Sequence, residues 1–245
     1  MNQILLTRQS PTKKNPNNPT ISLEESLLSE GYDIILGIDE AGRGPWAGPL
    51  YFGGYIYDNK EKYSFNSLIK DSKLLSEENR ELCFVKLKPE NRVFTRISAK
   101  EVDSLGLSEA VKVAILELVL HVLAMPKCAN KKIIALIDGK YRFNLPIDYK
   151  SIIDGDRIHY SISCGSIVAK VLRDHEMRKL DEKFPQYGFK NNKGYGTKMH
   201  IKGIEKYGLC EEHRKTYKPI REYIARCEQT GKRKFLRTNS NKFFK

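Results

Sequence analysis

The sequence predicts an α/β protein, a mixed sheet flanked by helices, and three observations carry that reading. Short apolar runs closed by glycine alternate with stretches of helical periodicity, so strands and helices interleave along the chain. The first two runs are joined only by a glycine-rich turn, which suits an antiparallel pair. The last part reads as helix, loop and further helix before a basic tail, which gives the fold a C-terminal helical extension.

Residues 1–20 are rich in Asn, Pro, Lys and Thr, bury little, and read as a disordered leader. Ser22 is placed to cap a helix running to Glu30, with Glu25 completing a capping box and Gly31 ending it. YDIILGID (32–39) and LYFGGYIY (50–57) have the composition of strands. Ser76 opens a helix to Lys88, and VFTRIS (93–98) reads as a third strand. From Glu101 to Ala124 apolar residues recur at Val102, Leu105, Ala110, Val113, Leu116, Leu120 and Leu123, a helical rhythm interrupted at Gly106 and stopped by Pro126. KIIALID (132–138) is a buried strand ending in a carboxylate, and SIVAKVLRDHEMRKLDEKF (166–184) is a helix. The expected organisation is the leader, one domain over residues 21–227, and a basic tail over 228–245.

A chain of 245 residues can bury a real core. Its five cysteines form no CxxC pair and leave one over under full oxidation, as reduced cytoplasmic thiols would. Nowhere do about eighteen apolar residues follow one another, so no membrane span is expected. The net charge of +13 points to a polyanionic partner, nucleic acid first. Eight of those charges sit in the two tails, so a solvated basic surface accounts for them equally simply.

Two strands end in acids, Asp39 with Glu40 on the first and Asp138 on the last. A carboxylate at a strand end is often only a solvated loop residue. Several such ends, each followed by a small residue, favour a cluster. Glu40 can join Asp39 only if the strand stops there, because successive side chains point to opposite faces; Gly42 and Gly44 supply such a stop. Oxygen-only clusters suit hard cations such as Mg²⁺ or Mn²⁺, and two such ions serve in-line phosphodiester hydrolysis.

GIDEAGRGPWAGP (37–49) resembles the signature segment of the type-two ribonucleases H. KDSKLLS (70–76), LIDGK (136–140), IIDGDRIHYSISCGSIVAKVLRD (152–174), NKGYGTKMH (192–200) and HRKTYKP (213–219) resemble further blocks of that family in the same order, together spanning roughly residues 30–222. The resemblance implies a ribonuclease-H-like fold and a metal-dependent endonuclease cutting 5′ to ribonucleotides in duplex DNA or in RNA–DNA hybrids. It makes Asp39, Glu40, Asp138 and Asp156 the acids that bind Mg²⁺ or Mn²⁺, with Asp174 a competing fourth acid. It makes Gly42, Arg43 and Gly44 a grip on the backbone around the ribonucleotide, although the triplet also suits a plain tight turn. Tyr195, in a second Gly-flanked loop, is the candidate sugar platform, with a packing role as the alternative; Lys73, Ser166, Lys170 and Arg214 are candidate phosphate contacts. Trp46, Phe52-Gly53-Gly54 and Cys164-Gly165 depart from the family pattern, all by small or apolar changes. The histidines stand at no zinc-ligand spacing and invite no general-acid role. The tail ends in paired phenylalanines and is read as a nonspecific DNA tether with a weak sliding-clamp contact; the protein is expected to be a cytoplasmic monomer. Rival readings are a transposase or resolvase of similar architecture, or a noncatalytic nucleic-acid-binding module.

Overall fold

The computed structural model describes residues 19–60, 69, 75–142 and 144–231. Along them run α1 (Ser22–Ser29), β1 (Ile34–Ala41), β2 (Leu50–Asp58), α2 (Glu77–Lys86), β3 (Arg92–Ile97), α3 (Ala99–Leu105) and α4 (Leu107–Leu123). There follow β4 (Ile133–Asp138), β5 (Asp148–Ile152), α5 (Gly155–Ile158), α6 (Tyr160–Lys183), α7 (Phe189–Asn192), α8 (Lys198–Tyr207) and α9 (Lys218–Gln229). The described residues fall into two compact units. The first comprises those up to Ala41, Tyr51–Arg96 and Val111–Leu172; the second comprises Gly42–Leu50, Ile97–Ala110 and Arg173 onward.

In the first unit the five strands form one mixed sheet in the order β3-β2-β1-β4-β5. β1 and β2 are antiparallel, as their short connection requires, while β1–β4 and β4–β5 are parallel. The parallel register pairs Ile38 with Ile137 and Asp138 with Ile152, so the C-terminal ends of β1, β4 and β5 lie at one edge of the sheet. Strand-end acids therefore gather there.

The first half of α6 covers this sheet at close range. A Cβ on Gly37 would stand 2.1 Å from the Ser161 carbonyl carbon, one on Gly53 2.3 Å from the Ala169 nitrogen, and one on Gly165 2.8 Å from the Gly37 oxygen. Small residues at these positions let helix and sheet backbones approach directly. Around them Leu27, Ile35, Tyr57, Leu136, Ile162, Ile167 and Val168 form the core. In the second unit Met177, Phe184, Tyr187, Phe189, Ile204, Leu209, Ile220 and Tyr223 form another. All five cysteines are buried thiols outside any disulfide. Among the described residues no helix is long and apolar enough to cross a membrane.

Several elements differ from expectation. Ser22 is the first residue of α1 rather than its cap; Thr20 pairs with His159 in an isolated bridge, and Ile21 takes the cap position without a side-chain bond. Helix α6 begins at Tyr160, six residues early. Ser161, Ser163 and Gly165 weaken helix propensity there, but buried Glu24 accepts 2.8 Å bonds from both the Ser161 N–H and O–H. A carboxylate beside the first turn favours the helix N-terminus. The strand β5 is additional to those expected: DYKSI buries only Ser151 and Ile152, as a sheet-edge strand does. As expected, Gly106, at φ 75°, divides the long helical stretch into α3 and α4. Helix α3 begins earlier than expected, with Ser98 and Glu101 forming a capping box.

Candidate active site

Asp39 sits on β1 with 5 % of its surface exposed, and Asp156, in the first turn of α5, is 1 % exposed. Glu40 and Asp138 are half-buried. Main-chain amides orient two of these groups: Asp39 Oδ1 accepts the Glu40 N–H at 2.7 Å, and Asp138 Oδ1 accepts the Gly155 N–H at 2.7 Å. The second bond ties the end of β4 to the helix that carries Asp156. The Ser163 hydroxyl donates to the Asp156 carbonyl, which anchors that short helix on α6.

Contrary to expectation β1 does not stop at Asp39. It continues through Glu40 to Ala41, and Glu40 Oε2 accepts the Tyr141 O–H at 3.2 Å. Its charge is still felt. Burial raises the Asp39 carboxyl well above the usual range, and the like charges of Asp138, Glu40 and then Asp156 push the same way, against a hydrogen bond from Ser166. Three carboxylates thus act on Asp39 within the first unit, and Ser166 partners Asp39 directly. Asp174 lies buried on α6 in the second unit, where its charge supports the adjacent Arg173 guanidinium.

Among the described residues no three His, Cys, Asp or Glu side chains form a ready-made metal cage. The donor set is nevertheless that of a hard cation: carboxylate oxygens alone, in mutual repulsion that a cation would relieve. Magnesium in particular is held by one or two carboxylates completed by water and phosphate oxygens rather than by an all-protein cage. Asp39, Glu40, Asp138 and Asp156 fit that mode.

In the second unit two glycine-bearing loops meet. Gly42 has φ 97°, and a Cβ there would lie 2.0 Å from Arg173 Nε, so glycine is required. Arg43 and Gly44 are exposed, and a Cβ on Gly44 would stand 3.5 Å from the Tyr195 ring. Tyr195 itself is 52 % exposed. The Trp46 N–H donates to the Gly194 carbonyl at 2.9 Å. Arg173, buried, donates to the carbonyls of Pro49 and Lys193, each at 3.0 Å, and burial lowers its pKa to about 10.

Arg214 departs from its expected place at a phosphate. It is 0 % exposed, with Nε and Nη2 donating to the Gly48 carbonyl at 3.0 and 2.8 Å, and Nη1 to the Tyr217 hydroxyl at 2.8 Å and the Arg43 carbonyl at 3.3 Å. It braces the 43–48 loop from within. Lys170 is half-buried on α6, and Lys73 lies outside the described residues. The sequence reading missed Tyr141, Arg173 and the buried pair His200 and His213. Arg173 carried a signal, a cation set beside Asp174 directly after the largely apolar run SIVAKVL.

The Ribonuclease HII family model matches residues 36–220. A curated Ribonuclease HII of Caldicellulosiruptor bescii is 39 % identical over 194 residues, 78 % of this chain and 90 % of that protein. Among solved structures, the ribonuclease H2 of Pyrococcus horikoshii OT3 aligns with a TM-score of 0.65 at 24 % identity, over 80 % of this chain and 99 % of that one. The RNase HII in the PCNA complex of Archaeoglobus fulgidus aligns with a TM-score of 0.55 at 20 % identity, over 86 % and 97 %. These two likenesses concern the fold.

Proposed function

Because the chain belongs to the ribonuclease HII family, we propose that it is an endoribonuclease acting on RNA–DNA hybrids and on single ribonucleotides embedded in duplex DNA. It hydrolyses the phosphodiester 5′ to the ribonucleotide and leaves a 3′-hydroxyl and a 5′-phosphate. The observation that carries the reading is the gathering of acids about the buried Asp39, whose carboxyl is raised first by burial and then by the like charges of Asp138, Glu40 and Asp156. Repulsion of that kind is costly unless it serves a cation. These four acids would hold Mg²⁺ or Mn²⁺, which, once bound, activates the attacking water and stabilises the leaving oxygen.

The protein's own groups prepare that chemistry. The Gly155 amide fixes Asp138, Ser166 fixes Asp39, and the Tyr141 hydroxyl holds Glu40. Recognition of the ribose belongs to Gly42, Arg43, Gly44 and Tyr195. A 2′-hydroxyl is the feature that distinguishes one ribonucleotide among deoxynucleotides, and exposed main-chain amides beside an aromatic face can bond and stack on it. Lys170 and, outside the described residues, Lys73 are proposed as phosphate contacts. The basic tail adds nonspecific attraction to nucleic acid. The complex of the Archaeoglobus relative with PCNA supports a sliding-clamp contact for this chain too, through the tail. We place the protein in the cytoplasm as a monomer. The test is cleavage of a duplex carrying one ribonucleotide, beside an all-DNA duplex, each with Mg²⁺ or EDTA. Cutting only the first, only with metal, is the expected result; equal cutting of both duplexes would refute ribose recognition.

A further inference from the structure

Behind the Tyr195 loop, in the second unit, lies a closed chain of polar contacts through two buried histidines. His200 is 0 % and His213 1 % exposed, and their Nε2 atoms are 3.0 Å apart. His200 Nδ1 lies 3.0 Å from the Tyr195 carbonyl. At the other end the Cys210 N–H donates to His213 Nδ1 at 3.0 Å. Tyr187 and Phe189 pack edge-on or tilted against both rings, with centroids 4.8 to 6.0 Å away.

The two ends set the protons. A carbonyl only accepts, so His200 must carry its hydrogen on Nδ1, leaving Nε2 as an acceptor. A main-chain amide only donates, and the Cys210 N–H at 3.0 Å lies nearer His213 Nδ1 than the Cys210 carbonyl at 3.3 Å does, so Nδ1 accepts and Nε2 carries the hydrogen. Both deductions meet at the central contact, where His213 Nε2–H donates to His200 Nε2. This tautomer pair satisfies the three 3.0 Å contacts, with both rings neutral. A further proton would set N–H against N–H. Burial agrees with this, since it lowers His213 to about 3 and lowers His200 as well.

What the chain delivers is the position of Tyr195. The Thr197 N–H also donates to the Tyr195 carbonyl, at 2.8 Å, and Thr197 Oγ1 caps α8 by accepting the His200 N–H. Gly196 lies flat on Trp46, where a Cβ would fall 2.1 Å from the indole. The exposed phenol thus stands on a main-chain segment whose carbonyl is gripped by a buried imidazole. We infer that His200, held in its Nδ1–H tautomer by His213, is a positioning residue for ribose recognition, acting through the carbonyl of Tyr195. This rests on the reading of Tyr195 as the sugar platform.

Two substitutions separate the bond that matters from mere packing. His200→Asn places an amide N–H near the Nδ1 position and keeps the donor to Tyr195. His200→Gln places a polar group near Nε2, keeps a partner for His213, and loses that donor. His200→Asn leaves the His213 Nε2–H without its acceptor, while His200→Gln leaves the Tyr195 carbonyl with the Thr197 N–H alone, so a purely structural role predicts a loss for Asn at least as large as for Gln. Positioning predicts otherwise: kcat/KM on the single-ribonucleotide duplex stays within about threefold of wild type for Asn and falls on the order of tenfold for Gln. In a Tyr195→Ala background the Gln effect should vanish. Equal losses for Asn and Gln, or a Gln loss that persists without the Tyr195 ring, would overturn the inference while leaving the sugar-platform reading intact. Wild-type cleavage by Tyr195→Ala alone would overturn both, and is recognised by that single variant. A measurement on the unmodified full chain needs no variant to fold: long-range ¹H–¹⁵N spectra should show His200 as the Nδ1–H tautomer and His213 as the Nε2–H tautomer. The opposite assignment overturns the chain.

Discussion

Arg214→Lys distinguishes a brace from a phosphate contact, because it keeps the charge and removes the fork. The guanidinium makes four bonds, two to the Gly48 carbonyl and one each to the Tyr217 hydroxyl and the Arg43 carbonyl, and is fully buried. An ammonium is a point donor on a flexible stem and cannot reproduce a planar fork on partners so placed. Losing two of these bonds, at about 1.5 to 2 kcal/mol each for a charged donor, costs on the order of 3 to 4 kcal/mol. For a protein of this size about 1 kcal/mol corresponds to about 2–4 °C, so Tm should fall by roughly 10 °C. The assay pairs a thermal melt with a titration of catalytically inactive protein against the ribonucleotide duplex at several salt concentrations. Because charge is conserved and no phosphate contact is lost, the salt slope should be unchanged. An unaltered Tm with weakened binding would refute the brace and restore Arg214 to the phosphate backbone, where the lost fork costs affinity.

Asp39→Asn and Asp138→Asn should each abolish cleavage while leaving duplex binding near wild type in a gel-shift titration; Asp39→Asn should also melt no lower than wild type, because it removes a buried charge repelled by three others. Burial lowers His159 to about 4 and His213 to about 3. The folded state therefore binds fewer protons than the unfolded one between those values and 6.5: stability is complete above about 6.5 and falls below it, by up to about 1.4 kcal/mol per pH unit for each group, as urea midpoints at pH 7, 6 and 5 would show. Removing residues 228–245, which carry net +5, should weaken nucleic-acid affinity and flatten its salt dependence without ending catalysis. Tyr195→Ala should slow cleavage at a single ribonucleotide on the order of tenfold, about 1.4 kcal/mol, with Tyr195→Phe reporting the hydroxyl alone.

The order of elements and the acids at strand ends were legible in the sequence because both follow from local pattern. Apolar runs closed by glycine mark β1, β2 and β4, and the short link between β1 and β2 forces their antiparallel pairing. The edge strand β5 was not legible, since DYKSI carries one aliphatic residue and owes its strand form to pairing with β4. The start of α6 was hidden for a related reason: its serines and Gly165 are poor helix formers, chosen by the close approach to Gly37 and Gly53 on the sheet. Tertiary demand overrode local propensity in both places.

The burial of Arg214 shows where sequence reading of a site runs out. A sequence displays donors as residue types, but the main-chain carbonyls that accept from them are the same at every position. Arg214 and Arg173 find theirs at Gly48, Arg43, Pro49 and Lys193, up to 171 residues away along the chain. With those acceptors invisible, a lone arginine in a nuclease motif is assigned to phosphate. The same blindness hid His200, whose partners are the Tyr195 carbonyl and another imidazole. Carboxylates escape it, because the electrostatic neighbours of Asp39 include Asp138, Glu40 and Asp156, which the sequence displays as residue types.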